Sequence, residues 1–139
     1  MKIHAYLIFD GQCEAAFNFY EQVFGGTLEL MRFGESPEAE HIGQEHHGRI
    51  MHACLTTGDQ LLMASDTLPQ SPHEGIKGCS VSLQVDNVPE AERLYEALSA
   101  DGQIQMELQA TFWATRFAMF TDRFGVPWMI NCAVDNQQG

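Results

Sequence analysis

At 139 residues the chain has room for one compact domain or two small fused modules, and 45% hydrophobic against 19% charged residues excludes a disordered chain. Nineteen acidic against seven basic side chains give a net charge of −12, a field that repels nucleic-acid phosphates and anionic lipid and argues against both as partners. No apolar run approaches the roughly 20 residues of a membrane helix, the first residues lack the apolar core of a secretory signal, and Cys13, Cys54, Cys79 and Cys132 stand singly without CxxC spacing. A cytoplasmic location with reduced thiols is expected.

Lys2 to Asp10, partly aromatic and β-branched, stops at the turn pair Asp10-Gly11 and predicts a strand. From Cys13 the pattern changes: Ala16, Phe19, Tyr20, Val23 and Phe24 recur at helical spacing until Gly25-Gly26 supplies a stop. Thr27 to Phe33 alternates as a strand does, and the polar stretch Glu35 to His47 reads as an exposed loop. Arg49 to Leu55 and Gln60 to Ser65, joined by Thr56-Thr57-Gly58-Asp59, predict a hairpin, and Asp66 to Lys77 a linker. The second half repeats this order. Cys79 to Val85 reads as a strand, Asn87 with Glu90 three residues on resembles a capping box ahead of Ala91, Leu94 and Leu98, and Asp101-Gly102 ends that helix. Strands are expected over Ile104 to Leu108, Arg116 to Phe120 and Val126 to Cys132, the last two joined by a turn at residues 122–125. The chain thus reads βαβββ twice, over residues 1–68 and 78–134. The expected fold is a single α+β domain in which two modules form a curved mixed sheet with helices on its outer face. The opposite, concave face is where a small molecule binds.

The doubled βαβββ order, the helix entry DGQCEAAFNFY, the strand LLMASD and above all TFWATRFAMFTDRFGVPWMIN resemble the PhnB-like group of the vicinal oxygen chelate superfamily. That superfamily also holds glyoxalase I, bleomycin-resistance proteins and extradiol dioxygenases, and the resemblance covers nearly the whole chain. It implies paired modules and, usually, a homodimer with cavities near the subunit interface. Enzymes of the superfamily commonly hold a divalent ion with His and Glu from the first and last strands of each module. Carried over without gaps, the first-strand positions fall on Ala5 and Ser80, and the last-strand positions on Met63 or Ser65 and on Met129. None is an imidazole or carboxylate. A one-residue slip would put His4 in place and turn Ala5, Leu7 and Phe9 to the helix side. The resemblance therefore implies a small-molecule-binding protein with no metal cofactor. The alternative is a divalent-metal-dependent lyase, isomerase or dioxygenase-type enzyme acting on a small vicinal-oxygen or phosphonate-related substrate.

Among individual residues, His52 lies inside an apolar strand, expected to share a face with Ile50, Cys54 and Thr56, either as a hydrogen-bonded core histidine or as a general base or ligand-orienting group. His41, His46 and His47, with Glu38, Glu40 and Glu45 nearby, match no metal-binding spacing and read as solvated loop. Phe112 and Trp113, followed by Arg116, are either a ligand-stacking wall with a carboxylate- or phosphonate-gripping cation or a plug of the sheet edge or dimer seam. Met63 and Met129 suit an adaptable cavity lining. With Ser65 the expected ligand-binding set is His52, Met63, Ser65, Phe112, Trp113, Arg116 and Met129. Asp66 and Asp122 read as turn residues, Asp66 with the option of accepting a hydrogen bond from substrate. Only Arg32, Lys77 and Arg116 are placed to neutralise a phosphonate.

Overall fold

Residues 1–75 and 76–139 form two compact units with the same order of elements; the structure, a computed structural model, describes residues 1–70 and 73–134. In the first unit β1 (Tyr6–Phe9), α1 (Cys13–Phe24), β2 (Thr27–Arg32), β3 (Ile50–Thr57) and β4 (Gln60–Asp66) build a sheet of order β1-β4-β3-β2. In the second, β5 (Val81–Val85), α2 (Val88–Ser99), β6 (Gln103–Gln109), β7 (Ala114–Thr121) and β8 (Pro127–Ala133) build β5-β8-β7-β6. In each sheet the first strand runs parallel to the last and the remaining pairs are antiparallel. The fold is the expected α+β pair of βαβββ modules.

Each helix covers one face of its sheet through an apolar stripe. On α1 the buried residues are Cys13, Ala16, Phe17, Tyr20 and Val23, and Phe17 meets Phe9 and Tyr20 edge-on, with ring centroids 6.2 and 5.4 Å apart. Burying each of these rings contributes about 2–3 kcal/mol. On α2 Ala91, Leu94 and Leu98 are buried, and Tyr95 meets Phe120 edge-on at 5.9 Å. Both units need a glycine where the helix returns to the sheet. A Cβ on Gly26 would sit 2.1 Å from the Thr56 carbonyl oxygen and one on Gly102 2.2 Å from that of Thr121, so the repeat extends to the crossing of connector and hairpin.

Three expectations change. The strand expected over Lys2 to Asp10 is confined to Tyr6–Phe9, with Leu7 and Phe9 buried on the α1 side. Alternation then turns Tyr6 and Ile8 to the opposite face, so the ungapped placement of Ala5, Leu7 and Phe9 toward the cavity is off by one residue. In β3, Met31 pairs with His52 but Arg32 with Ile50. The extra residue, Met51, is a bulge that reverses the alternation, so Ile50 joins Ala53 and Leu55 in the core while His52, Cys54 and Thr56 face away from it. The loop after β2 contains three single 3-10 turns, at Phe33–Glu35, Ala39–His41 and Gln44–His46. His47 ties them together, its Nε2 donating to the carbonyls of Ala39 and Ile42 at 2.9 Å.

At α2 the side chain of Asn87 accepts a hydrogen bond from the Glu90 backbone N–H at 2.9 Å, as the sequence predicts. The Glu90 carboxylate, however, is held by Arg93. That ion pair holds it below the usual carboxylate range.

Candidate functional site

In the first unit the strand register brings His52, Met63 and Ser65 onto the face opposite α1. Cys54 pairs with Met63, and Met63 with Tyr6; Ser65 pairs with Ile8, and His52 with Met31. Directly paired residues share a face, so these side chains form one patch of thioethers, a thiol, a hydroxyl and two polar rings. Its fixed point is a hydrogen bond of 3.0 Å between the Tyr6 hydroxyl and His52 Nδ1, with the rings tilted at a centroid distance of 5.7 Å. Tyr6 was not among the candidates: its partner lies on another strand 46 residues away. The signal available was the polar tip at the alternate position of an otherwise apolar strand.

In the second unit Met129 pairs with Ser82 and Met119, and Asn131 with Gln84 and Phe117. The Asn131 amide donates to Gln84 Oε1 at 2.9 Å, and Gln84 Nε2 to Ser82 Oγ at 2.8 Å. Phe117 meets Trp113 edge-on at 5.2 Å, and Trp113 meets Phe112 at 4.8 Å. Phe112 and Trp113 therefore continue the Met129 face, with Phe112 94% exposed. Arg116 does not join them. Alternation from the buried Ala118 and Phe120 sets it opposite Cys132, on the α2 side, where its Nη1 donates to the Thr115 carbonyl at 2.8 Å. A separate open cleft of about 370 Å³ lies where Lys77, Cys79 and Ser80 pass the ends of the strands at Gln105, Met119 and Trp128. This cleft was not foreseen.

Other charged candidates are committed to structure. Asp66 is 4% exposed; its Oδ1 accepts from the backbone N–H groups of Gly11 and Cys13 at 2.8 and 3.1 Å, and its Oδ2 from Ile50 at 2.8 Å. It thereby caps α1, whose own N-cap Gln12 makes no side-chain bond. Asp122 accepts from the backbone of Phe124 and Val126 and from Trp128 Nε1 at 2.8 Å. Arg32 forms a two-bond pair with Glu14, holding that carboxyl below its usual range. Arg49, bonded to Asp10 through one Nη2 contact, likewise holds that carboxyl below its usual range.

The donor set does not fit the divalent ion implied by the superfamily. With the observed β1 register the first- and last-strand positions opposite the helices carry His4, Met63, Ser65, Ser80 and Met129, one imidazole where a hard divalent ion needs several nitrogen or oxygen donors at once. His4 precedes β1, and alternation puts it on the Tyr6 side. Among the described residues no three His, Cys, Asp or Glu side chains converge on a point that could hold a metal. The described helices include none long and apolar enough to cross a membrane.

Comparison with known proteins agrees with the topology. Residues 2–130 match the Glyoxalase/Bleomycin resistance protein/Dioxygenase superfamily. Protein YjdN of Escherichia coli (strain K12) is 35% identical over 140 residues, spanning 94% of this chain and 95% of YjdN. The crystal structure of PA1353 from Pseudomonas aeruginosa is 54% identical with a TM-score of 0.90, covering 97% of this chain and 99% of that one. The PhnB protein from Bacillus cereus is 26% identical with a TM-score of 0.76, covering 96% of this chain and 100% of that one. The chain belongs to the glyoxalase/bleomycin resistance protein/dioxygenase superfamily and resembles its PhnB-like members.

Proposed function

We propose that this chain binds a small, largely apolar molecule on the sheet faces opposite its helices, without the superfamily's divalent ion. The observation that carries this reading is the residue set of those faces. Metal-ligand positions are occupied by serine and methionine with His4 as a single imidazole, too few donors for a divalent ion, while polar groups held by the Tyr6–His52 and Gln84–Asn131 hydrogen bonds stand among thioethers and aromatic rings. Such surfaces select ligands by shape and a few oriented hydrogen bonds. Superfamily membership supports a small-molecule ligand, but the fold alone does not name it. A doubly charged phosphonate is disfavoured on these faces, because Arg32 is paired with Glu14, Arg116 lies on the helix side and Lys77 lines the separate cleft.

The chain works as a homodimer in this reading, since Phe112 and Trp113 expose apolar surface of the kind a second copy covers. The exposed thiol of Cys79 suits a reducing cytoplasm. The test is a saturation-transfer NMR screen of neutral aromatic and aliphatic fragments run with and without EDTA. Binding that persists in chelator is expected; binding abolished by chelator would favour the metal-dependent alternative. Light scattering at micromolar concentration should give twice the 15.6 kDa chain mass.

A further inference from the structure

We infer that Tyr6 is a positioning residue: it holds His52 in the tautomer whose Nε2 bears the proton, so that the first sheet presents one neutral N–H donor to the carbonyl oxygen of an otherwise apolar ligand. This deepens the binding reading above and rests on it. Tyr6 and His52 share one short contact, phenol oxygen to Nδ1 at 3.0 Å. Two arrangements satisfy it, and they are not equal. A phenol is a good donor and a poor acceptor, because its oxygen lone pair is delocalised into the ring, whereas the unprotonated nitrogen of a neutral imidazole is a good acceptor. The proton therefore sits on Tyr6, Nδ1 accepts, and the ring's other nitrogen carries N–H. The bond at one imidazole nitrogen fixes the role of the other.

The surroundings of His52 specify the ligand. Met31 is paired with it, Cys54 follows on the same face, and Met63 is paired with both Cys54 and Tyr6. The nearby basic side chain, Arg32, is engaged by Glu14. A neutral imidazole donor among sulfur atoms, with the Ser65 hydroxyl on the same face and no free cation beside it among the described residues, in a chain of net charge −12, suits an uncharged acceptor better than an anion. A ketone, ester or amide carbonyl on an aromatic or branched apolar body has that chemistry, the body lying on the methionines.

The experiment uses the full chain labelled with ¹⁵N-histidine, with acetophenone and isopropylbenzene as probes of like shape, one with a carbonyl and one without. The expected His52 spectrum has a pyrrole-type Nε2 and a pyridine-type Nδ1. Acetophenone should shift the Nε2 resonance and bind about fivefold more tightly than isopropylbenzene, the value of one ordinary hydrogen bond. Tyr6→Phe keeps the ring but should release His52 into a mixture of tautomers and reduce that preference, while His52→Phe should abolish it. A purely structural Tyr6 would leave tautomer and preference untouched. The inference is overturned if wild-type His52 carries its proton on Nδ1, or if Tyr6→Phe changes neither observable. If the tautomer is as stated but neither probe binds, it is the underlying binding reading that fails.

Discussion

Replacing Asp66 with alanine removes the acceptor for three backbone N–H groups at once. The bonds to Cys13 and Ile50 are buried, whereas that to Gly11 is half-exposed, so water can replace the last but not the other two. An unsatisfied buried donor costs about 1–3 kcal/mol, and a hydrogen bond to a charged group contributes at the upper end of that range. Two such losses with one partial loss give about 4 kcal/mol, a large share of the stability of a small domain. With a typical urea slope of about 1–3 kcal/mol per molar, the midpoint should fall by about 2 M. Asp66→Asn keeps one acceptor oxygen but turns an NH₂ toward a donor, and should cost about 2–3 kcal/mol. Circular dichroism is the suitable probe, because both tryptophans, Trp113 and Trp128, lie in the second unit. A loss below about 1 kcal/mol for Asp66→Ala would refute the role of this carboxylate as a three-way cap and revive its reading as a ligand acceptor.

The remaining predictions concern single groups. Burial, reinforced by the nearby charges of Asp66 and Glu14, pushes the Cys13 thiol up to about 12; in a thiol-labelling time course at pH 8, exposed Cys79 should react first and Cys13 only on unfolding. Arg32 lowers the folded pKa of Glu14 below 4.5, so the stabilisation from this pair is full above pH 4.5 and is lost as pH falls through the lowered value. Denaturation of Arg32→Met should therefore show a deficit of about 0.5 kcal/mol at pH 7, the scale of a partly exposed ion pair, that disappears near pH 2. Asn87→Ala should cost about 1 kcal/mol by removing the α2 cap.

Local signals in the sequence carried much of the fold. The α1 pattern from Cys13 to Phe24 and the Asn87 cap are set by residues within a turn of one another, and both helices form where the spacing places them. Contacts between strands are not written locally. Nothing in the run from Arg49 to Leu55 marks Met51 as a bulge; its place follows from pairing with β2, which decides whether Ile50 stands beside His52 or in the core. Likewise Asp66 ends an apparent turn in the sequence, yet its partners are 16 to 55 residues away. The candidate face was legible where simple alternation holds, as for Met63 and Ser65. It was not legible for Tyr6, which depends on a contact across strands; Arg116 shares the helix side with Ala118 and Phe120 by plain alternation.

Elemental analysis of the full chain, purified without chelator and then titrated calorimetrically with Zn, Ni and Mn, tests the metal-free binding claim most directly. The account predicts substoichiometric metal and no rise in melting temperature on adding ions, since an ion that binds the folded state must raise it. One ion per chain, removed by EDTA with a fall in melting temperature, would contradict it.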